Sequence, residues 1–138
     1  MQLLKVLFAL ASLTLGGMIY VIYRNDNLLM FNWFQECELD EIVAWLRTNC
    51  GRYSIRAWVN YNLPAGLWLL SYLLIIDTLW SNENSPMYWA FILYLPIIAI
   101  FSEVLQVLHC IPGTFDLRDV LCYLSTIIFF VIIKILNQ

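Results

Sequence analysis

Residues 86–108 read PMYWAFILYLPIIAIFSEVLQVL, and residues 117–136 read LRDVLCYLSTIIFFVIIKIL. Each run has the length a helix needs to cross a hydrocarbon core of ~30 Å, about 20 residues. Glu103 is the single charge in the first. Arg118 and Asp119 open the second and Lys134 lies at its tail. Two similar runs come earlier: residues 3–23, with Lys5 as the only charge before Arg24, and residues 63–80, with Asp77 near the far end. In lipid the backbone must close its hydrogen bonds internally, which makes these runs helices. None shows the period-two alternation of a membrane barrel. The sequence predicts an all-α integral membrane protein, one domain over residues 1–138. Its four transmembrane helices fall at about 3–23, 63–80, 86–108 and 117–136.

Composition agrees. Of the 138 residues, 62% are hydrophobic and 12% charged, against roughly 45–50% and ~25% in soluble domains. Mean hydropathy is +0.77. A small water-soluble domain cannot bury that much apolar surface. Seven basic and ten acidic residues, net −3, give no polybasic footprint, so nucleic acid is excluded as a partner. Membrane lipids are the partners implied.

The run boundaries carry local signals. Ser85-Pro86 places a cap residue before a proline at the first helical position. Asp116-Leu-Arg-Asp119 has the form of a capping box. Pro96 should kink the third span, and Trp68, Trp80, Tyr88 and Trp89 sit where an aromatic belt belongs. The first run lacks a small-x-small cleavage site and reads as a retained anchor. Its Ser12, Gly16 and Tyr20 recur every four residues, a stripe suited to close helix packing.

Residues 24–62 form the one long connection. Leu28 to Phe34 is too short to cross and too apolar to be solvated. Glu38 to Asn49 reads as an interfacial amphipathic helix, with Leu39, Ile42, Val43 and Leu46 at helical spacing. Its acids crowd the first turn and Arg47 sits in the last, which suits the helix dipole. Arg52, Arg56 and Trp58 then mix cations with an aromatic ring. They anchor the next span at the headgroups, or bind an anionic or undecaprenyl-type lipid headgroup.

With four spans both termini share one side. Lys5 and Lys134 belong to that side; Arg24, Arg47, Arg52, Arg56 and Arg118 belong to the other. The positive-inside rule would put the long connection in the cytoplasm. Cys37, Cys50, Cys110 and Cys122 also gather on the long-connection side, which fits an oxidising compartment instead. Cys37 and Cys50 would be about 18 Å apart on a straight helix, too far to bridge. Any disulfide should therefore join the long connection to Cys110 or Cys122, or join those two. No CxxC is present, and no spacing asks for a metal or another cofactor.

Polar residues inside spans cost a few kcal/mol on insertion scales and need a partner or a purpose. Glu103, Gln106 and His109 end the third span; Asp116, Arg118, Asp119 and Tyr123 open the fourth. A helical hairpin brings these stripes together at one membrane face. Three readings follow: mutual hydrogen bonding and capping, a binding pocket for a polar headgroup or small ligand, or an envelope-modifying enzyme using Glu103, His109, Asp116 and Asp119 as acid, base or hard ligands. Asp77 and Glu83 read as boundary charges at the opposite face.

The pattern Glu103-x-x-Gln106, then Phe115-Asp116-Leu-Arg-Asp119, resembles the VanZ-like family of small bacterial membrane proteins. Asn62-Leu-Pro64-Ala-Gly66 matches that family's Asn-x-Pro-x-Gly start of the preceding span. The likeness covers roughly residues 62–138. Gly113-Thr114 stand where the family usually has an arginine, Tyr123 where it has asparagine, and Thr126 where it has glycine. The resemblance implies a multi-pass protein of the bacterial cytoplasmic membrane, with termini inside and the polar cluster facing outward. It also suggests a link to glycopeptide resistance. On that basis the expected function is binding of an envelope ligand or lipid headgroup by Glu103, Gln106, His109, Asp116, Arg118, Asp119 and Tyr123. A structural or assembly subunit of a membrane protein complex is the other reading.

Overall fold

Pro64 decides where the central helix begins. It has no N–H to give to the preceding turn, which costs nothing in the first turn of a helix and favours a start at this point. The computed structural model describes residues 2–80 and 85–136, and every regular element among them is a helix. These are α1 (Gln2–Tyr23), α2 (Leu29–Glu36), α3 (Asp40–Cys50), α4 (Ala57–Tyr61), α5 (Leu63–Leu79), α6 (Pro86–Val107) and α7 (Leu117–Leu136). Three of them, α1, α6 and α7, are long and apolar enough to cross a membrane. The helix expected over 63–80 is α5, which has 17 residues and is the shorter kind. Asn62 and Pro64 break it from the single turn of α4, which would otherwise have extended it. Glu83 lies outside the described residues.

The hub of the bundle is α5, on which α1, α4, α6 and α7 all pack. Small residues let α1 come close. Ala9, Ser12 and Gly16 are buried, and a Cβ on Gly16 would lie 2.7 Å from Trp68 Nε1 and 3.2 Å from the Pro64 carbonyl. Tyr20 completes that stripe, its ring 5.3 Å from that of Trp68. On the other side α7 lies parallel to α5: Asn62 meets Asp119, and Gly66 meets Cys122 and Thr126. Ala9, Leu69, Leu73, Leu74, Tyr88, Ile92 and Phe130 form the buried core. Most other large apolar side chains of α1, α6 and α7 face outward, a sheath matched to hydrocarbon rather than water.

The expected cap of α6 is present: Ser85 accepts the Tyr88 N–H at 3.2 Å. The helix continues through Pro96 to Val107. Tyr72 of α5 donates its hydroxyl to the Phe91 carbonyl one turn before that proline. It braces α6 just ahead of the proline; the carbonyl that Pro96 itself leaves without an N–H is that of Ile92.

The long connection folds back against the end of α1. The segment around Leu28–Phe34 becomes α2 with Phe31 buried, and the second helix runs Asp40–Cys50 rather than 38–49. Arg47 holds the assembly: Nε donates to the Val21 carbonyl at 2.9 Å, Nη2 to the Arg24 carbonyl at 2.7 Å, and Nη1 pairs with Asp26. Its guanidinium also stacks 4.6 Å from the Phe31 ring centre. Arg24 in turn lies between the rings of Tyr20 and Tyr61. No disulfide contributes: Cys37, Cys50, Cys110 and Cys122 are all free thiols. No bridge joins this connection to Cys110 or Cys122; Arg47 ties it instead to the end of α1.

Asp77 is not a boundary charge. Its side chain is 9% exposed, and four helices meet at it. Lys5 of α1 donates to Oδ2 at 2.6 Å, Tyr88 of α6 donates to Oδ1 at 3.1 Å, and the Lys134 ammonium of α7 lies 3.5 Å from Oδ1. Lys134 also donates to the Tyr88 hydroxyl and sits 4.2 Å from the centre of its ring. Removing one member of such a node leaves buried charge without compensation. Asp77→Leu should therefore cost about 3 kcal/mol, read as a lower unfolding midpoint in detergent. Asp77→Asn should cost less, because the amide still accepts from Lys5. Adding Lys5→Met to Asp77→Leu should recover part of the loss; strict additivity of the two would show that the pair is not coupled.

Candidate functional site

At the opposite end of α5, Asn62 is 3% exposed. The helix break places its side chain between α5 and the start of α7. Nδ2 donates to Asp116 Oδ2 at 3.0 Å and to Asp119 Oδ1 at 2.8 Å. Asp116 is the cap of α7: its Oδ1 accepts the Arg118 N–H at 2.9 Å, and its carbonyl accepts the Asp119 N–H at 3.0 Å. In a capping box the residue at Asp119 would return a carboxylate to the Asp116 N–H. That carboxylate is instead committed to Asn62. Glu103, 5% exposed on α6, accepts the Asp116 N–H at 3.3 Å and fills the role. The partner of Glu103 is thus a backbone amide rather than another polar side chain.

The three carboxyl groups are thus gathered by an amide and by backbone N–H donors. The Arg118 N–H and the Asn62 amide hold the Asp116 carboxyl below the usual aspartate range, because both donate to its charged form.

The remaining expected residues divide. Arg118 is exposed at the mouth of a groove described below. Gln106 packs against Gly113 in the α6–α7 turn: a Cβ on Gly113, whose φ is +135°, would lie 2.7 Å from Gln106 Nε2. Tyr123 packs against the hydrophobic core. His109 is exposed and does not join the cluster. The reason is backbone geometry. The helix ends at Val107, and His109 takes a φ of +54° at the turn, so its helical projection no longer applies. Cys110, next in the turn, is exposed too. Arg52 donates to the Thr48 carbonyl at 3.1 Å and Arg56 precedes α4; both are exposed. Among the described residues no three His, Cys, Asp or Glu side chains are grouped so as to hold a metal ion.

Beside the cluster runs a groove of about 640 Å³ between α5 and α7. Trp58, Asn62 and Arg118 line its polar end, and Leu67, Cys122 and Phe129 line the apolar course. Its volume lies in the range of ligand sites. Gly66 sets the floor, since a Cβ there would lie 2.5 Å from Cys122 Sγ.

Asn62 was quoted in the family pattern yet given no task. A single amide at the edge of a span carries no charge that demands a partner, and the pattern was the sole pointer to it. The node depends on its donors, so Asn62→Asp should do more harm than Asn62→Ala at neutral pH. A fourth carboxylate in the cluster should cost about 2–4 kcal/mol. Acidification to roughly pH 4–5 should return part of that, because a protonated carboxyl donates where Nδ2 did. Unfolding midpoints of both variants across pH test this; an Asp variant that matches Ala at every pH would contradict it.

No protein-family model, curated protein or solved structure matches this chain.

Proposed function

We propose that this chain is a VanZ-like binding protein of the bacterial cytoplasmic membrane, with four spans, termini in the cytoplasm and α2–α3 in the outer interface. Its ligand is an amphiphile of the cell envelope, a lipid or lipid-linked headgroup. The chain of the ligand lies in the α5–α7 groove and its head meets Asn62, Arg118 and Trp58 beside the Glu103–Asp116–Asp119 cluster. Arg52 and Arg56 add positive charge at the same face. Binding there is the route by which such a protein contributes to glycopeptide resistance.

The groove carries the reading. It joins a polar end to a long apolar course that opens on the side of the bundle, the shape an acyl or prenyl chain enters from lipid. The apolar content of α5 and its place among α1, α6 and α7 support the fourth span. Exposed Trp33, Ile42 and Trp45 support an interfacial α2–α3. For orientation, the resemblance outweighs the arginine count, since Arg47 is already paired with Asp26.

Two measurements test this. A photoactivatable, chain-labelled lipid should crosslink to residues 118–129, and Ser125→Trp, which fills the groove, should remove the crosslink without reducing expression. Crosslinks spread evenly over all lipid-facing helices would overturn the groove. A membrane-impermeant maleimide should label Cys50 in intact cells; labelling only after lysis would reverse the orientation.

A further inference from the structure

The Asp77 node holds more than helix contacts. Among the described residues it gathers two ammonium groups, Lys5 and Lys134, around one carboxylate. Lys5 sits at 2.6 Å and forms the close pair; Lys134 sits at 3.5 Å and makes its hydrogen bond to a neutral hydroxyl. Among the described residues one positive charge is therefore left over in apolar surroundings, where an unbalanced charge is expensive. Lys134 spreads part of it over aromatic faces, 4.2 Å from the Tyr88 ring centre and 5.4 Å from that of Trp89.

Each lysine also lines an apolar groove. Between α6 and α7, a groove of about 280 Å³ runs from Lys134 along Ile92, Pro96 and Phe130. Between α1 and α7, a groove of about 300 Å³ runs from Lys5 along Phe8, Leu74 and Phe129. The two flank α7 and end at the same charged node. Two apolar channels with a shared cationic head match the form of one molecule: two acyl chains joined at one anionic group.

We propose that the Lys5–Asp77–Lys134 node is a second binding site, for an anionic diacyl glycerophospholipid in the leaflet at the terminal end. The phosphate is held between the Lys5 and Lys134 ammonium groups, and the two acyl chains lie in the grooves on either side of α7. Asp77 and Tyr88 orient the lysines. The site has its own charged head, at the other end of α7 from Arg118, while its α1–α7 groove adjoins the α5–α7 groove at Leu70 and Phe129.

The test uses the full chain with Ser125→Trp, so that the outer groove is filled, in mild detergent. Phosphatidylglycerol and phosphatidylcholine with identical chains are added, and retained lipid is counted by native mass spectrometry beside the unfolding midpoint. Phosphatidylglycerol should be retained in preference and should raise the midpoint; equal retention of the two would overturn the proposal. Inorganic phosphate alone should raise it less, and an equal rise would make this an ion site rather than a lipid site. Each of Lys5→Gln and Lys134→Gln should weaken retention about fivefold, and Lys134→Arg should keep it. Asp77→Asn separates binding from packing: it destabilises the fold yet adds net positive charge, so retention should persist or rise. Unchanged retention in the glutamine variants, or its loss in a folded Asp77→Asn, would refute the site. Lipid crosslinking in the outer groove, read without Ser125→Trp, should be indifferent to Lys134→Gln. The two sites therefore fail independently.

Discussion

A polar side chain at each end of one apolar helix organises this molecule. Asn62 opens α5 and Asp77 nearly closes it, and neither has a local partner of its own. Each must be satisfied from other helices, since an unpaired polar group in a dry interior costs more than a hydrogen bond returns. Asp77 draws in α1, α6 and α7; Asn62 draws in the start of α7. Apolar packing alone tells a helix little about register in lipid, where every face is equally content. Two polar points on one rod fix both its height and its rotation against its neighbours.

The start of α7 shows how tightly the parts depend on one another. Asp119 is turned toward Asn62, so it cannot complete the cap of its own helix. Glu103 reaches across from α6 and takes the orphan Asp116 N–H. A carboxylate that looks anomalous within an apolar span is thus the missing half of a neighbouring helix terminus. The same arrangement brings Arg118 out to the mouth of the α5–α7 groove, so capping and the placement of a cation at the groove share one turn of chain.

Hydropathy made the helices legible, because length and apolar content are all a spanning helix must declare. Sequence also placed Asp116, Asp119 and Glu103 in one cluster, since a short hairpin leaves them little choice. It misplaced His109 because a wheel assumes that the helix goes on, and the chain turns left-handed there, just past the end of α6. It took Asp77 for a boundary charge because a carboxylate near a span end can reach water; only the depth of Lys5 and Lys134 on the other helices shows that it does not. The cysteines suggested bridges, yet nothing in a thiol's position along the chain reveals whether another comes within bonding distance.

The spacing of those two polar ends also bears on the surrounding bilayer. At 1.5 Å per residue, Asn62 and Asp77 are about 22 Å apart along α5, against a hydrocarbon core of ~30 Å. With α5 as a span, both polar nodes would sit below the level of the headgroups unless the lipid around the bundle thins to meet them. Thinning costs fractions of a kcal/mol per Å of mismatch. A bundle that crosses the membrane through α5 would therefore favour short-chain or fluid regions over thick, ordered ones, and its distribution would follow chain length even where headgroups are uniform.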